Sequence, residues 1–345
     1  MKAVRFHQHG GPEVLTLEDA PDPAAAPGRA IVRVRACALN HLDIWQRRGI
    51  ERVKIPFPHI SGADVAGEVV EIGKGKSTQE PVLPGLRVML QPGLSCGTCA
   101  ACLAGRDNRC ARYDVLGYQS DGGYAEYVSV PEANLIPIPA HITFTDAAAF
   151  PLTFLTAWHM LFNRARLEEG DIVLVLAAGS GVGQAALQLA RHAGAFVIAT
   201  AGSPEKIDLA SRLGADATID HGTEDIAAAV RKITSGRGAD IVVEHVGRAT
   251  WDASVKSLAR GGRLVTCGAT TGHDAAIDLR HLFGRQLSLV GSYMGEKAEL
   301  LKASRLFFGG LVRPVVDRVF PLADAAAAHE YLEGRRQFGK VVLEV

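Results

Sequence analysis

No charge of one sign prevails in this chain: 37 lysines and arginines stand against 37 aspartates and glutamates in 345 residues, a formal net charge of zero. That balance argues against nucleic acid or a membrane surface as a partner held by bulk charge, and a small-molecule substrate is expected instead. Also missing is any apolar run approaching the roughly 18 residues of a membrane span. The opening Met1-Lys2-Ala3-Val4-Arg5-Phe6-His7 has no long apolar core of the secretory kind, so a cytoplasmic location is expected. Repeats and low-complexity linkers are absent too. The length is sufficient for two domains, each with its own core.

Cysteine is present, and unevenly spread. Four of the six crowd into Cys96-x-x-Cys99-x-x-Cys102 and Cys110, which in a cytosolic chain reads as metal ligation rather than disulfides. Three thiolates at three-residue steps with a fourth nearby can close a tetrahedron around Zn²⁺. The surrounding polar lobe, 92–112, has too little apolar content to hold itself together without such a staple. Four thiolates leave no open coordination position, so this zinc would hold shape and do no chemistry; free or redox-active thiols are the alternative. Cys37 and Cys267 lie in strand-like apolar surroundings and are expected to be buried packing residues.

Along the first 150 residues, short candidate strands at 30–35, 65–72 and 87–90 are separated by glycine and proline, the pattern of a small barrel. Between the first two, Asn40-His41-Leu42-Asp43-Ile44-Trp45 and the residues up to Gly49 predict one or two helical turns closed by a glycine. From Ala147 to Asn163 the pattern is helical. Strands are then expected at 172–176, 196–200, 217–219, 240–243, 263–266 and 287–290, with helices at 184–192, 205–213, 224–234 and 251–259 between them. Six short strands with crossover helices make a doubly wound α/β sheet. From about Met294 the chain is expected to rejoin the first domain, with helical 296–310 and 323–333 and a last strand at 341–345. The expected domains are therefore 1–153 with 294–345, and 154–293.

The centre of the second domain is 172–183, an apolar β-branched strand that runs into a small-residue turn and then a helix. Free N–H groups and the positive dipole end at such a helix start suit a pyrophosphate. In the register set by Gly183, the first two positions of G-x-G-x-x-G hold Ala178 and Ser180, while Gly179, Gly181 and Val182 fill the rest; a plain tight turn is the alternative. The residue that bonds the ribose 2′-OH in NAD-specific folds is acidic, and here Ala201 takes its place. Val246-Gly247, Gly268-Ala269-Thr270 and Gly291-Ser292 follow strands at their carboxyl ends, where ribose and nicotinamide lie in such sheets.

With a barrel first, a four-cysteine lobe in it and a dinucleotide fold after it, the chain resembles the medium-chain dehydrogenase/reductase superfamily over essentially its whole length. Gly10-Gly11-Pro12-Glu13-Val14-Leu15, Ala38-Leu39-Asn40 and Pro151-Leu152-Thr153-Phe154-Leu155-Thr156-Ala157-Trp158 look like its quinone oxidoreductase branch, while the lobe looks like its zinc alcohol dehydrogenase branch. The resemblance implies a GroES-like catalytic domain carrying a Rossmann domain. In the zinc branch a catalytic zinc is held by a Cys, the His of a Gly-His-Glu motif and a third ligand. Here those positions hold Asn40, Ala63 within Gly62-Ala63-Asp64, and Leu152 or Thr153, none of them a thiolate or imidazole; His41, Asp43, His59 and Asp64 remain as a nonstandard oxygen/nitrogen set. Asp43 and Asp64 otherwise read as carboxylates bonding backbone or basic groups.

The resemblance thus implies an NADPH-dependent reductase of quinones, enones or related activated double bonds, with Asn40, His41, Asp43 and Thr156 as catalytic candidates. Ser203, Lys206 and His221 resemble the 2′-phosphate contacts of NADPH-using relatives, with use of both cofactors as the alternative. Rival readings are an alcohol dehydrogenase or aldehyde reductase with an unusual or absent catalytic metal, and a non-catalytic NADPH-binding sensor. A homodimer or homotetramer joined through edge strands such as 287–290 is implied as well.

Overall fold

A computed structural model describes residues 1–51, 53–73 and 83–345. The chain divides into two compact units: Met1–Leu152 with Glu296–Ala298 and Arg313–Val345, and Thr153–Gly295 with Glu299–Val312.

The first unit is built on a seven-stranded sheet. Its path runs Val316–Pro321, Lys340–Glu344, Arg29–Ala38, Asp64–Ile72, Arg87–Leu90, Leu135–Pro137, with Tyr127–Pro131 added to Arg29–Ala38. The long strand Arg29–Ala38 is shared out along its length. Its first half pairs with Tyr127–Pro131, its last three residues pair with Lys340–Glu344, and its other edge carries Asp64–Ile72. Val32, Val34, Cys37, Val65, Val69, Val88, Tyr124 and Val128 form one apolar cluster with Ile44 of the helix His41–Arg48, and each such burial contributes about 1.5–3 kcal/mol. That helix ends at Gly49, whose φ of 89° is the left-handed conformation glycine adopts freely.

The second unit holds a six-stranded parallel sheet in the order Ala217–Asp220, Phe196–Ala201, Ile172–Val175, Ala239–Glu244, Leu258–Thr266, Ser288–Gly291. Numbered along the chain this is 3-2-1-4-5-6, the order of a dinucleotide-binding fold, in which ligands sit at the carboxyl ends of the strands.

Several elements differ from expectation. The helix expected over 251–259 stops at Ser257, because Leu258 already pairs with Ala239 and starts the next strand. The helix Lys297–Phe308, expected with the first domain, lies with the second unit from Glu299 on; Leu300, Ala303, Ser304 and Phe307 bury one face and Glu299 Oε2 takes His159 Nδ1 at 2.7 Å. Residues 159–164 widen into π-helical turns where an even helix is expected. Among the described residues no helix is long and apolar enough to cross a membrane.

Candidate functional site

Two polar constellations and one cysteine cluster stand out, and each is internal to one unit.

In the first unit, Asn40 precedes the helix His41–Arg48, and the Asp43 carboxylate reaches back to accept its backbone N–H at 2.8 Å. This is half of a capping box. The Asn40 side chain faces the other way. Its Nδ2 donates to Asp64 Oδ2 at 3.0 Å and to the Ala38 carbonyl at 3.4 Å, and its Oδ1 accepts from Lys340 Nζ at 2.7 Å. Lys340 Nζ also donates to Asp64 Oδ2 at 2.9 Å, and the Leu152 N–H donates to Asp64 Oδ1 at 2.8 Å. Asp64 is 0% exposed and Lys340 2%. Both the Nδ2 and the Oδ1 of the Asn40 amide are thus engaged within the unit. Burial pushes Asp43 up to about 6, partly offset by the Asn40 N–H and the Lys340 charge. Burial likewise pushes the Cys37 thiol well up, so it remains a neutral packing group.

His41, the first residue of the helix, is half-buried, with its ring 6.2 Å from that of Trp45. His59 is buried on a different network: its Nε2 lies 2.7 Å from Gln46 Nε2 and 3.2 Å from the Gly117 carbonyl, and burial lowers its pKa. The set His41, Asp43, His59 and Asp64 is therefore not assembled. Among the described residues, the one group of three or more His, Cys, Asp or Glu whose ligand atoms converge within 4.8 Å is Cys96, Cys99, Cys102 and Cys110.

Zn–S bonds of about 2.3 Å in a tetrahedron put sulfurs about 3.8 Å apart, and Cys102 Sγ lies 3.8 Å from Cys96 Sγ and 3.5 Å from Cys99 Sγ. Backbone N–H groups already point at the sulfurs: Cys99 donates to Cys96 Sγ at 3.3 Å, and Arg112 to Cys110 Sγ at 3.4 Å. N–H donors at Thr98 and Cys99, helped by the Arg112 side chain, bring Cys96 down to about 5. A thiolate at neutral pH is what a zinc ligand requires, and the four residues fit the ion.

In the second unit, the strand Ile172–Val175 turns at Ala177, φ 44°, into the helix Gly181–His192. Thr200 of the neighbouring strand fixes the turn by accepting from Ala177 N at 3.0 Å (Oγ1) and Ala178 N at 2.8 Å (carbonyl). Ser180 caps the helix through Gly183 N at 2.8 Å. A Cβ on Gly183 would stand 2.4 Å from the Ala177 carbonyl oxygen, so only glycine permits this close approach. His245, unremarked in the sequence, lies 3.0 Å from the Leu176 carbonyl through Nε2, and its own carbonyl accepts from Thr270 Oγ1 at 3.1 Å. Glu244 accepts from the N–H groups of Val246 (2.6 Å) and Gly247 (3.1 Å). Gly268 and Ala269 lead up to Thr270, and the Gly291 carbonyl is held by Arg164 Nε at 2.8 Å. Ser292 Oγ is buried with no partner among the described residues.

At the next strand ends, Ala201 is buried and Ser203 caps the helix Pro204–Arg212 through Lys206 N at 3.4 Å. The His221 ring faces Gly202, where a Cβ would come 2.7 Å from Nε2. Burial lowers the pKa of His221, and the Lys206 charge lowers it further. No carboxylate occupies the 201 position, while Ser203, Lys206 and His221 are gathered at adjoining strand ends. Cys267, expected to be buried, is only half-buried just beyond its strand.

Residues 26–140 match the alcohol dehydrogenase GroES-like domain, and residues 181–308 match the zinc-binding dehydrogenase family. An NAD-dependent alcohol dehydrogenase of Sulfolobus acidocaldarius is 32% identical over 100% of both chains. The chain belongs to the medium-chain dehydrogenase/reductase superfamily. As a member it is an NAD(P)-dependent oxidoreductase with a GroES-like and a Rossmann domain. Within the superfamily it is also 32% identical to a quinone oxidoreductase of Pseudomonas aeruginosa over 99% of each chain. A crystal structure of an NAD-dependent alcohol dehydrogenase superposes with a TM-score of 0.96 at 48% identity, covering 100% of both chains. The Rossmann unit fits the pyridine nucleotide of this superfamily: a capped helix start, a glycine no side chain can replace, and an orphaned Ser292 hydroxyl. The donor set at Asn40 and Asp64 does not fit a catalytic zinc, since it offers no imidazole or thiolate and both side chains are already bonded to an ammonium group.

Proposed function

We propose that the protein is an NADPH-dependent reductase of quinones, enones or related activated double bonds that works without catalytic zinc and carries one structural zinc in the cysteine lobe. The observation that carries this reading is the Asn40–Asp64–Lys340 cluster, in which an amide stands at the first ligand position of the zinc branch and is bonded to a buried ion pair. A reduced nicotinamide, when bound, supplies the hydride equivalent. Addition to a conjugated carbon leaves negative charge delocalised onto oxygen, and hydrogen-bond donors suffice there in place of a Lewis acid. We assign donor or proton-supplying roles to His41 and Thr156, and positioning roles to Asn40 and Asp43, whose polar atoms are used in holding the start of the helix.

For the cofactor, the loop 178–183 is proposed to hold the pyrophosphate, with Val246, Gly268, Ala269, Thr270, Gly291 and Ser292 at the ribose and nicotinamide. Ser203, Lys206 and His221 are proposed to receive the 2′-phosphate. Lys206→Ala is expected to raise KM for NADPH about tenfold, equivalent to about 1.4 kcal/mol, and to move KM for NADH less than twofold. Equal changes for both cofactors would remove Lys206 from the 2′-phosphate site.

The deciding experiment joins metal content to turnover. Protein purified without added metal is expected to hold one zinc per chain, none after Cys99→Ser with Cys102→Ser, and to oxidise NADPH with a quinone or enone. The 48%-identical alcohol dehydrogenase favours a second reading; two zinc ions per chain with alcohol-dependent reduction of NAD⁺ would establish it and end the first. The exposed edge strand Ser288–Gly291 supports assembly as a homodimer or homotetramer, read by sedimentation.

A further inference from the structure

The first unit contains a buried hydrogen-bonded chain that no sequence motif announces. Arg47, Tyr124 and His329 are each 0% exposed and Asp43 2%. Arg47 Nη1 lies 3.0 Å from His329 Nδ1, His329 Nε2 lies 3.1 Å from the Tyr124 hydroxyl, and that hydroxyl lies 3.1 Å from Asp43 Oδ2. Asp43 Oδ2 in turn accepts the Asn40 N–H at 2.8 Å. At the far end Arg47 is fastened by the Glu333 carboxylate and by the Gly10 carbonyl, 3.2 Å from Nε.

The chemistry of the groups gives this chain a direction. A guanidinium has donors and no acceptor. His329 must therefore accept at Nδ1, which makes Nε2 its protonated nitrogen. That N–H donates to the Tyr124 oxygen, leaving the Tyr124 hydroxyl proton for Asp43. Arginine does not release a proton in this setting, so the chain is no proton relay. It is a brace from a cation to a carboxylate in which every hydrogen has one place.

We propose that Tyr124 and His329 are positioning residues for Asn40: the brace holds the Asn40 main chain from one side, while Lys340 and Asp64 hold its side chain from the other. Together they set where the helix His41–Arg48 begins and hence where His41 stands. This rests on the proposed reductase reading of Asn40 and His41.

Three variants and one spectrum test it. Tyr124→Phe removes a single hydroxyl, and His329→Leu removes the ring. His329→Gln keeps an acceptor for Arg47 and a donor for Tyr124, so it should restore the chain. Hydrogen exchange at the Asn40 amide is expected to speed up at least tenfold in Tyr124→Phe and His329→Leu and to stay at the wild-type rate in His329→Gln. Nitrogen NMR of His329 in the unmodified protein is expected to show Nε2 protonated and Nδ1 bare. In NADPH-dependent quinone reduction, kcat is expected to fall about tenfold in the first two variants, with Kd for NADPH unchanged and recovery in His329→Gln. An Nδ1-protonated ring, or wild-type exchange at Asn40 in Tyr124→Phe, overturns the brace. Faster exchange with unaltered kcat overturns its catalytic role. If the spectrum and exchange come out as expected while the unmodified protein reduces neither quinones nor enones, the brace stands and the reductase reading falls.

Discussion

Replacing Lys340 by Met is expected to destabilise the protein by about 3–5 kcal/mol, the usual consequence of leaving one member of a buried ion pair alone. Lys340 and Asp64 are almost sealed from water, and the Lys340 ammonium gives two hydrogens to the cluster, one to Asp64 Oδ2 at 2.9 Å and one to Asn40 Oδ1 at 2.7 Å. Without it, Asp64 keeps only the Leu152 N–H and the Asn40 amide, too little to hold a carboxylate charge in a dry interior. Asp64→Asn in the Lys340→Met background removes that charge, so the double variant should recover more than half of the loss. Urea unfolding of the two single variants and the double variant measures the coupling. A loss below about 1 kcal/mol in Lys340→Met would mean that water reaches Asp64 and that the pair behaves as a surface ion pair.

The same cluster marks the limit of what the sequence displays. The cysteine lobe and the strand-turn-helix at 172–183 are legible because their chemistry is local: four thiols close together in the chain, and an apolar run ending in glycines. Lys340 meets Asn40 and Asp64 across 300 and 276 residues of chain. Its one trace in the sequence is a lysine directly before the apolar 341–345, and the strand includes it. Tyr124 and His329 are 205 positions apart and look like ordinary members of a strand-rich segment and an alanine-rich helix. Asn40 illustrates the opposite case. Its position is evident from resemblance, but whether its amide is free depends on partners that only the folded chain supplies. The strand Val316–Pro321 escapes sequence reading for a different reason: it lies at the sheet edge with little buried surface, so no apolar alternation announces it.

Acid is expected to reveal two opposed titrations in the brace. Burial, followed by the Arg47 charge, holds His329 down to about 3 from its ordinary 6.5. Between these values the unfolded chain binds a proton that the folded one refuses, so His329 contributes stability above pH 6.5 that is lost progressively as pH falls toward 3. Asp43 runs the other way, because burial raises it from 3.8 to about 6. In that window the folded chain holds a proton the unfolded one has released. Its contribution is complete below pH 3.8 and is lost as pH rises through 6. From about pH 6 to 4 the two slopes nearly cancel, and these residues alone leave wild-type stability almost flat. Asp43→Asn removes one side of the balance, and such a variant should lose about 2 kcal/mol more than wild type between pH 6 and 4, since 1.36 kcal/mol per unit applies fully only between the two pKa values. His329→Gln removes the other, and its stability relative to wild type should rise by about the same amount over that interval. Urea midpoints at about pH 4, 5, 6 and 7 for the three proteins decide the matter. Parallel curves for all three would show that neither group changes its protonation on folding, and that the hydrogen-bonded chain from Arg47 to Asp43 is open to water.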